Sequence, residues 1–244
     1  MPINIVINEL GDKFKDYREE IVGDSYNWGP VINPNDIQYF TFHHSVTTQT
    51  AKNDGNWKAE CNKIANIHIN SNGWDGVGYR FIICSDGTVA YVGDLSHGGS
   101  AVANKNNIMF SACMVGNFTK ELPTAAQIHS AHLLAKFFLD QMPKYPKLDS
   151  WEDIKGHRDF NSTTCPGDFW RLTGGLRERI LGDIWQGYPN PQPILVPPPI
   201  PQPPIDPCEV IKKELAETKV KLEQTQNDLV AANDKLNKIR GIVL

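Results

Sequence analysis

The sequence predicts an α/β protein, a mixed β-sheet flanked by helices, followed by a proline-rich linker and a C-terminal coiled-coil helix. In residues 37–188, runs of β-branched and aromatic residues are interspersed with segments of helical periodicity, which is typical of a sheet with helices on its faces. Residues 189–207 contain ten of the seventeen prolines, and leucines recur every seventh residue in residues 208–244. With 244 residues, 40% of them hydrophobic, the chain can bury one substantial core and has room for a smaller appendage.

Five apolar runs predict the strands of the sheet, in the order IQYFTFHHS, GYRFIIC, TVAYVG, NIMFSACMVGNF and a short strand in WEDIKGHRDF. Asp86 and Gly87 separate the second run from the third and predict a tight hairpin turn. Residues 1–36 are polar and turn-rich, and we expect them to form an N-terminal extension packed on the domain, with a short helix in GDKFKDYREEIV.

Three segments have helical periodicity. Apolar residues in NWKAECNKIANIHIN fall on one helical face, and Thr124 with Gln127 forms a capping box that opens the helix AAQIHSAHLLAKFFLDQM. The third helix covers DFWRLTGGLRERILGDIW, with a break predicted at Gly174 and Gly175.

The last 37 residues contain five heptads with charged residues between the apolar ones. One seam position is taken by Leu215, Leu222, Leu229, Leu236 and Val243, and the other by Ile211, Thr218, Thr225, Ala232 and Ile239. This pattern favours a coiled coil and a homo-oligomer, although a single amphipathic helix folded back on the domain is an alternative. Cys208, at the first seam position, could crosslink two chains or remain a reduced thiol.

Charge and hydropathy exclude two classes of partner. The net charge of -4, the pI of about 6.0 and the lack of a lysine or arginine run argue against nucleic acid. No segment approaches the roughly 18 apolar residues of a membrane span, so no membrane insertion is expected. The N-terminus lacks the pattern of a signal peptide, which predicts synthesis in the cytoplasm. Cys61, Cys84 and Cys113 are expected to be reduced core residues.

The segment GHRDFNSTTCPGDFW contains two side chains that bind transition metals. His157 and Cys165 lie eight residues apart on a predicted loop, and each is a good ligand for zinc. Zinc in enzymes usually takes three protein ligands and leaves a fourth position for water, so a third ligand must come from elsewhere. The obvious donor is His43, at the end of the predicted strand IQYFTF and followed by His44.

Three motifs in this order resemble the zinc-dependent N-acetylmuramoyl-L-alanine amidases of type 2, a family that includes phage lysozyme-amidases and peptidoglycan recognition proteins. The motifs are the strand ending in His-His-Ser, the block GWDGVGYRFIICSDGTV, and the histidine and cysteine before Pro166 and Gly167. The resemblance runs from about Tyr39 to Gly167, roughly half the chain. It implies a mixed sheet with a Zn²⁺ site in a surface groove, and a zinc amidase domain over residues 37–188.

The resemblance also implies roles for individual residues. His43, His157 and Cys165 become the zinc ligands, and His43 is preferred to His44 because the first histidine of the pair matches the family's ligand. Neighbouring strand residues point to opposite faces, so only one of the two can readily reach the metal. Tyr79 would donate a hydrogen bond to the oxyanion, supported by Thr163. The substrate-binding residues would be His44, His97 and Asn117, and Arg158 and Asp159 would brace the loop. His68 is expected to be structural. Trp74 and Trp170 could stack on sugar, with core packing as the default.

The activity implied is hydrolysis, by zinc-activated water, of the amide between N-acetylmuramic acid and the L-alanine of the stem peptide in bacterial peptidoglycan. No general base is evident in the motifs. The linker and heptads favour a phage-type endolysin that acts on the cell wall after release at host lysis. The alternatives are a cytosolic wall-recycling amidase and a non-catalytic peptidoglycan-binding or particle-structural module. A tail that binds a host or viral protein is compatible with the endolysin.

Overall fold

A computed structural model describes residues 5–21, 26–141 and 144–182 of the chain, and these belong to one compact unit. The predicted linker at 189–207, the coiled coil at 208–244 with Cys208, and the end of the predicted domain at 183–188 lie outside the described residues. Within the described ranges, no helix combines the length and apolar character needed to cross a bilayer.

Six strands of the described ranges form one mixed sheet. They are β1 (Phe14–Asp16), β2 (Tyr39–His44), β3 (Phe81–Ile83), β4 (Val89–Tyr91), β5 (Met109–Met114) and β6 (Ile154–Gly156), in the order β1-β4-β3-β5-β2-β6. Among the strands of the described residues, only the β3–β4 pair is antiparallel. It is the hairpin predicted at Asp86 and Gly87, and Gly87 has a φ of +87°, a conformation that favours glycine. The predicted mixed sheet is therefore confirmed.

In the described part of the chain, four α-helices flank the sheet. They are α1 (Ala51–Asp54), α2 (Trp57–Asn66), α3 (Ala125–Leu139) and α4 (Leu176–Leu181), and α2 continues into one π-helical turn at Ile67–Ser71. The capping box predicted at the start of α3 is present: the Thr124 hydroxyl accepts the N–H of Gln127, and the Gln127 side chain accepts the N–H of Thr124. Short 3₁₀ turns lie at Asn8–Lys13, Pro34–Asp36, Trp151–Asp153 and His157–Asp159.

Each face of the sheet has its own hydrophobic layer. The face covered by α3 and α4 contains most of the aromatic core, including Phe40, Phe42 and Phe138. The face covered by α2 is smaller, and in it Cys61 of α2 packs with Ile82 and Cys113 of the sheet. Cys61, Cys84 and Cys113 are buried free thiols, as expected. Alternate residues of β2 thus point into two different environments.

Two expectations about local structure are wrong. The predicted helix in GDKFKDYREEIV is absent; Phe14–Asp16 instead form β1, which pairs in parallel with β4. The pairing satisfies backbone groups of β4 at the edge of the sheet, and this tertiary contact outweighs local helical preference. The third predicted helix begins only at Leu176, because Gly174 has a φ of +70° and the residues before it form turns.

Candidate metal centre

The carboxyl end of β2 presents two histidines to opposite faces of the sheet. The His43 ring lies on the α2 face, 5.1 Å from the Tyr79 ring and 4.7 Å from the His157 ring. His44 points to the other face, where its ring lies 5.9 Å from Phe118 and its Nδ1 accepts the Phe118 N–H at 3.1 Å. Only His43 therefore faces His157.

The next strand in space, β6, brings the second ligand group beside His43. β6 pairs in parallel with β2 and ends at Gly156, so His157 begins a 3₁₀ turn at the same edge of the sheet as His43. The turn places the chain so that Cys165 returns to the site, and the Arg158 N–H donates to the Cys165 carbonyl at 2.9 Å. One ligand atom from each of His43, His157 and Cys165 lies within 4.8 Å of the other two.

These three side chains fit a zinc ion. His43 is only 1% exposed, and among the described residues its Nε2 has no hydrogen-bond partner. Burial lowers the pKa of His43 well below its usual value and lowers that of His157, so both imidazoles are neutral and can donate a lone pair. Two imidazole nitrogens and one sulfur form a donor set that zinc prefers, and they leave a fourth position for water.

The Cys165 thiol needs a cation to ionise. Burial raises its pKa to about 12, so the thiol is neutral at physiological pH in the absence of a metal. The backbone N–H of His44 lies 3.4 Å from the sulfur and favours its thiolate. A divalent cation in the same position would favour the thiolate far more strongly, and metal binding would release the thiol proton.

Tyr79 forms the wall of the site next to His43. Its ring lies 5.1 Å from His43 and 5.3 Å from His68, just before β3 begins. Desolvation, with the Cys113 and Cys165 thiols nearby, raises the pKa of Tyr79 well above its usual value. The side chain therefore remains a phenol, and its O–H can act as a hydrogen-bond donor.

Comparison with known proteins identifies the family. The sequence profile described as N-acetylmuramoyl-L-alanine amidase matches residues 33–168, more than half of the chain. The chain belongs to this family. A pig N-acetylmuramoyl-L-alanine amidase is 34% identical over 116 residues, which are 45% of this chain and 18% of the pig protein. Peptidoglycan-recognition protein SC2 of Drosophila melanogaster is 32% identical over 137 residues, 54% of this chain and 70% of that protein.

Two solved structures show the same fold. A Drosophila PGRP-LB variant in complex with tracheal cytotoxin has a TM-score of 0.51 and 19% identity, covering 64% of this chain and 89% of that one. An endolysin of a Thermus scotoductus bacteriophage has a TM-score of 0.50 and 18% identity, covering 68% and 97%. At these identities the likeness concerns the fold alone.

The loop of this amidase-family chain that carries His157 and Cys165 is held by side chains of the same segment. Asp159 accepts the Gly156 N–H at 2.6 Å, the Trp170 Nε1–H at 2.9 Å and the Arg171 Nε–H at 2.6 Å. Arg158 donates to the Gly167 carbonyl at 3.0 Å. Through these contacts Arg158 and Asp159, for which the resemblance implies a bracing role, hold the loop. Trp170 is fully buried, so it packs in the core and cannot stack on sugar.

Thr163 lies on the same loop, close to the cysteine. Its Oγ1 accepts the Cys165 N–H at 3.2 Å, which fixes the backbone that carries the sulfur. The hydroxyl proton is not used in that contact, so the side chain can still donate. The structure thus gives Thr163 a contact that holds Cys165 in place, in addition to the catalytic role implied by the resemblance.

Of the other predicted groove residues, only His44 contacts the metal cluster among the described residues, and it does so through its backbone. His97 Nδ1 lies 2.9 Å from the Ser96 hydroxyl in the loop after β4. The side-chain oxygen Oδ1 of Asn117 accepts the N–H and O–H of Thr119, so it serves a local turn. His44 is only 5% exposed. Among the described contacts, none joins His97 or Asn117 to a residue of the cluster.

Two neighbours of the cluster were not singled out as functional from the sequence. The Asn161 side-chain amide lies 3.2 Å from His157 Nε2 and so engages one of the two ring nitrogens. Its position four residues after His157, inside the motif, was the available signal. His68, expected to be structural, accepts the Gly78 N–H on Nδ1 at 3.1 Å and touches the Tyr79 ring. Sequence spacing alone could not show this contact.

Proposed function

We propose that this protein is a zinc-dependent peptidoglycan hydrolase that cleaves the amide between N-acetylmuramic acid and L-alanine of the stem peptide. The observation that carries the proposal is the convergence of His43, His157 and Cys165 within 4.8 Å, with the Tyr79 ring beside them. Family membership supports it, and so does the similarity to proteins whose names state peptidoglycan recognition. Residues 37–188 are proposed as the catalytic domain.

His43, His157 and Cys165 would hold the zinc ion. Bound there, zinc would supply Lewis-acid activation of a water molecule and of the amide carbonyl. The protein's own part is to keep both imidazoles neutral by burial and to hold the thiol between the His44 N–H and the Thr163-supported backbone. Asn161 orients the His157 ring through its second nitrogen, as partners of metal-bound histidines commonly do.

Tyr79 is proposed to stabilise the transition state. Water attack on the amide converts the carbonyl oxygen to an oxyanion, and the Tyr79 phenol donates a hydrogen bond to it. The raised pKa keeps the donor proton on Tyr79 throughout the working pH range. Thr163, on the loop that carries Cys165, is proposed as a second donor through its remaining hydroxyl proton. His44, His97 and Asn117 remain proposals for substrate contact.

The biological setting is proposed from the sequence of residues 189–244. A proline-rich spacer followed by heptads suits a phage endolysin whose catalytic domains are joined as a homo-oligomer, because tethered weak domains gain avidity for the cell wall. A wall-recycling amidase has little need for such a tail.

The test is release of stem-peptide amino groups, without new reducing sugar ends, from purified peptidoglycan. Wild type, wild type with chelator and Cys165→Ala are compared, and Cys84→Ala controls for removal of a buried thiol outside the cluster. We expect wild type and Cys84→Ala, both without chelator, to bind about one zinc per chain and to release amino groups. Wild type with chelator and Cys165→Ala should release none. If a zinc-loaded wild type released nothing from any wall type, the protein would be a non-catalytic peptidoglycan-binding module.

A further inference from the structure

Two buried thiols meet where α2 packs on the end of β3. Cys61 Sγ lies 3.4 Å from Cys84 Sγ, and neither side chain is exposed to solvent. Cys61 lies in the middle of α2, and Cys84 directly follows β3. Cys113 belongs to the same hydrophobic layer, but its thiol lies 3.9 Å from the Met114 carbonyl, and no described sulfur–sulfur contact joins it to the other two. Cys61 and Cys84 therefore form a separate pair.

The separation of the two sulfurs is close to that of a disulfide bond. A disulfide holds its sulfurs about 2.05 Å apart, so those of Cys61 and Cys84 need to approach by about 1.4 Å more. Rotation of the two side chains about their Cα–Cβ bonds can supply a movement of this size while α2 and β3 stay folded. The pair is thus positioned for oxidation within one chain.

The folded structure protects the pair until the start of α2 opens. Burial, with the Cys61 thiol beside it, raises the pKa of Cys84 well above its usual value, so the buried thiol is neutral and unreactive. Cys84 Sγ lies 3.5 Å from the carbonyl of Trp57, the first residue of α2. Helix ends open more often than the rest of a domain, and opening of this turn uncovers Cys84. Oxidation is therefore slow and restricted to small reagents.

The chain between the two cysteines includes the wall of the metal cluster. It contains His68, in the π-helical turn after α2, and Tyr79, just before β3. The Tyr79 ring lies 5.1 Å from His43 and 5.3 Å from His68. A bond between Cys61 and Cys84 would close this segment into a ring and fasten both of its ends. It would therefore limit the opening of the wall that keeps Tyr79 beside the cluster.

We propose that Cys61 and Cys84 are an oxidation site, where peroxide forms a disulfide bond that fastens the wall of the metal cluster. The Cys84 thiolate attacks a peroxide oxygen, the O–O bond breaks, and a sulfenic acid and hydroxide form. The Cys61 sulfur then attacks the sulfenic sulfur, the S–O bond breaks, and the S–S bond forms. With the two thiol protons, both oxygens leave as water, so two thiols and one hydrogen peroxide give one disulfide and two waters.

The biological setting of this oxidation rests on the proposed function. An endolysin released to the cell wall would leave the reducing cytoplasm, where thiols persist, for an oxidising environment, where disulfides form. The bond would then stabilise the protein only after its release.

The test is treatment of the reduced full-length protein with hydrogen peroxide in the presence of Zn²⁺, which would shield the Cys165 thiol. Remaining thiols are alkylated in denaturant, and tryptic peptides are identified by mass spectrometry. We expect a crosslink between the Cys61 and Cys84 peptides in wild type and in the matched control Cys113→Ala, but not in Cys84→Ala.

Oxidation should also stabilise the folded protein. The midpoint of thermal unfolding should rise by about 6–12 °C in wild type and Cys113→Ala. It should not rise in Cys84→Ala, which controls for oxidation elsewhere in the chain. Hydrogen exchange at the backbone amides of residues 67–79 should slow in oxidised wild type, a comparison with reduced wild type that requires no substitution.

Recovery of Cys61 and Cys84 as free, alkylated thiols, under conditions that oxidise a two-cysteine peptide, would overturn the proposal. A crosslink from either of them to Cys113 instead would also overturn it. So would a Cys61–Cys84 crosslink that left both the thermal midpoint and the hydrogen exchange unchanged, because the bond would then fasten nothing. None of these measurements uses peptidoglycan or follows amide hydrolysis. Failure of the oxidation site is therefore distinguishable from failure of the proposed function.

Discussion

His68 provides the most quantitative prediction, because its environment favours the neutral ring. The side chain is 9% exposed, and its Nδ1 accepts the Gly78 N–H, a contact that protonation at Nδ1 would abolish. Burial lowers the pKa of His68 to about 4, compared with about 6.5 in an unfolded chain. Between these two values the unfolded state takes up a proton that the folded state does not, so the free energy of unfolding falls as the pH falls.

The difference of about 2.5 pH units corresponds to about 3 kcal/mol of stability lost between pH 6.5 and pH 4. The matched variant is His68→Asn, whose side-chain oxygen can accept the Gly78 N–H but does not titrate in this range. Urea unfolding of both proteins at pH 7, 6, 5 and 4 should show the wild type losing about 3 kcal/mol more than the variant. Loss of zinc in acid affects both proteins and cancels in the comparison. Parallel pH profiles would refute the account of His68.

Three further predictions concern single residues. The Glu60 carboxylate is 2% exposed and accepts the N–H groups of Thr50 and Ala51 and both the N–H and the O–H of Ser85. Glu60→Gln should therefore lower the free energy of unfolding in urea by about 2–4 kcal/mol, whereas Glu20→Gln at an exposed position should lower it by under about 1 kcal/mol. Equal losses in the two variants would contradict this prediction. A Cβ on Gly156 would lie 2.6 Å from Trp170 Nε1, so Gly156→Ala should displace the turn after β6. The zinc affinity, measured by competition with a chelating dye, should fall at least tenfold. Unchanged affinity would contradict this prediction. Tyr79→Phe should lower kcat on peptidoglycan about 100-fold with zinc content unchanged, and an equal loss of zinc would indicate a structural role instead.

Five of the six described strands and the cluster of His43, His157 and Cys165 could be predicted because each has a strong local signature. β2, β5 and the capping box of α3 follow directly from their residue patterns, and the motifs placed His43 and Cys165 in one site although they are 122 residues apart. β1 could not be predicted in this way. Its pairing with β4 is a long-range contact between residues such as Phe14 and Val89, and no pattern within the N-terminal segment specifies it.

The groove was harder to predict than the ligands. A metal cluster requires particular donor atoms, so residue type limits the candidates, whereas a groove can be lined by almost any side chain. His97 and Asn117 have suitable chemistry, but their positions depend on loops after β4 and β5, where they serve local turns. The contact of Asn161 with His157 depends in the same way on the path of one loop.

The position of β6 in the sheet has a consequence for how the protein holds its metal. β6 has three residues and pairs with one neighbour only, so separating it from β2 exposes far less surface than unfolding the whole domain and occurs more often. One of the proposed metal ligands comes from β2 and two follow β6, so every such opening takes them apart. Zinc bound there would therefore stabilise the edge of the sheet by mass action. Hydrogen exchange at the backbone amides of β6 should accelerate on chelation, while exchange in the central strand β5 remains slow, so this short edge strand reports on the occupancy of the site.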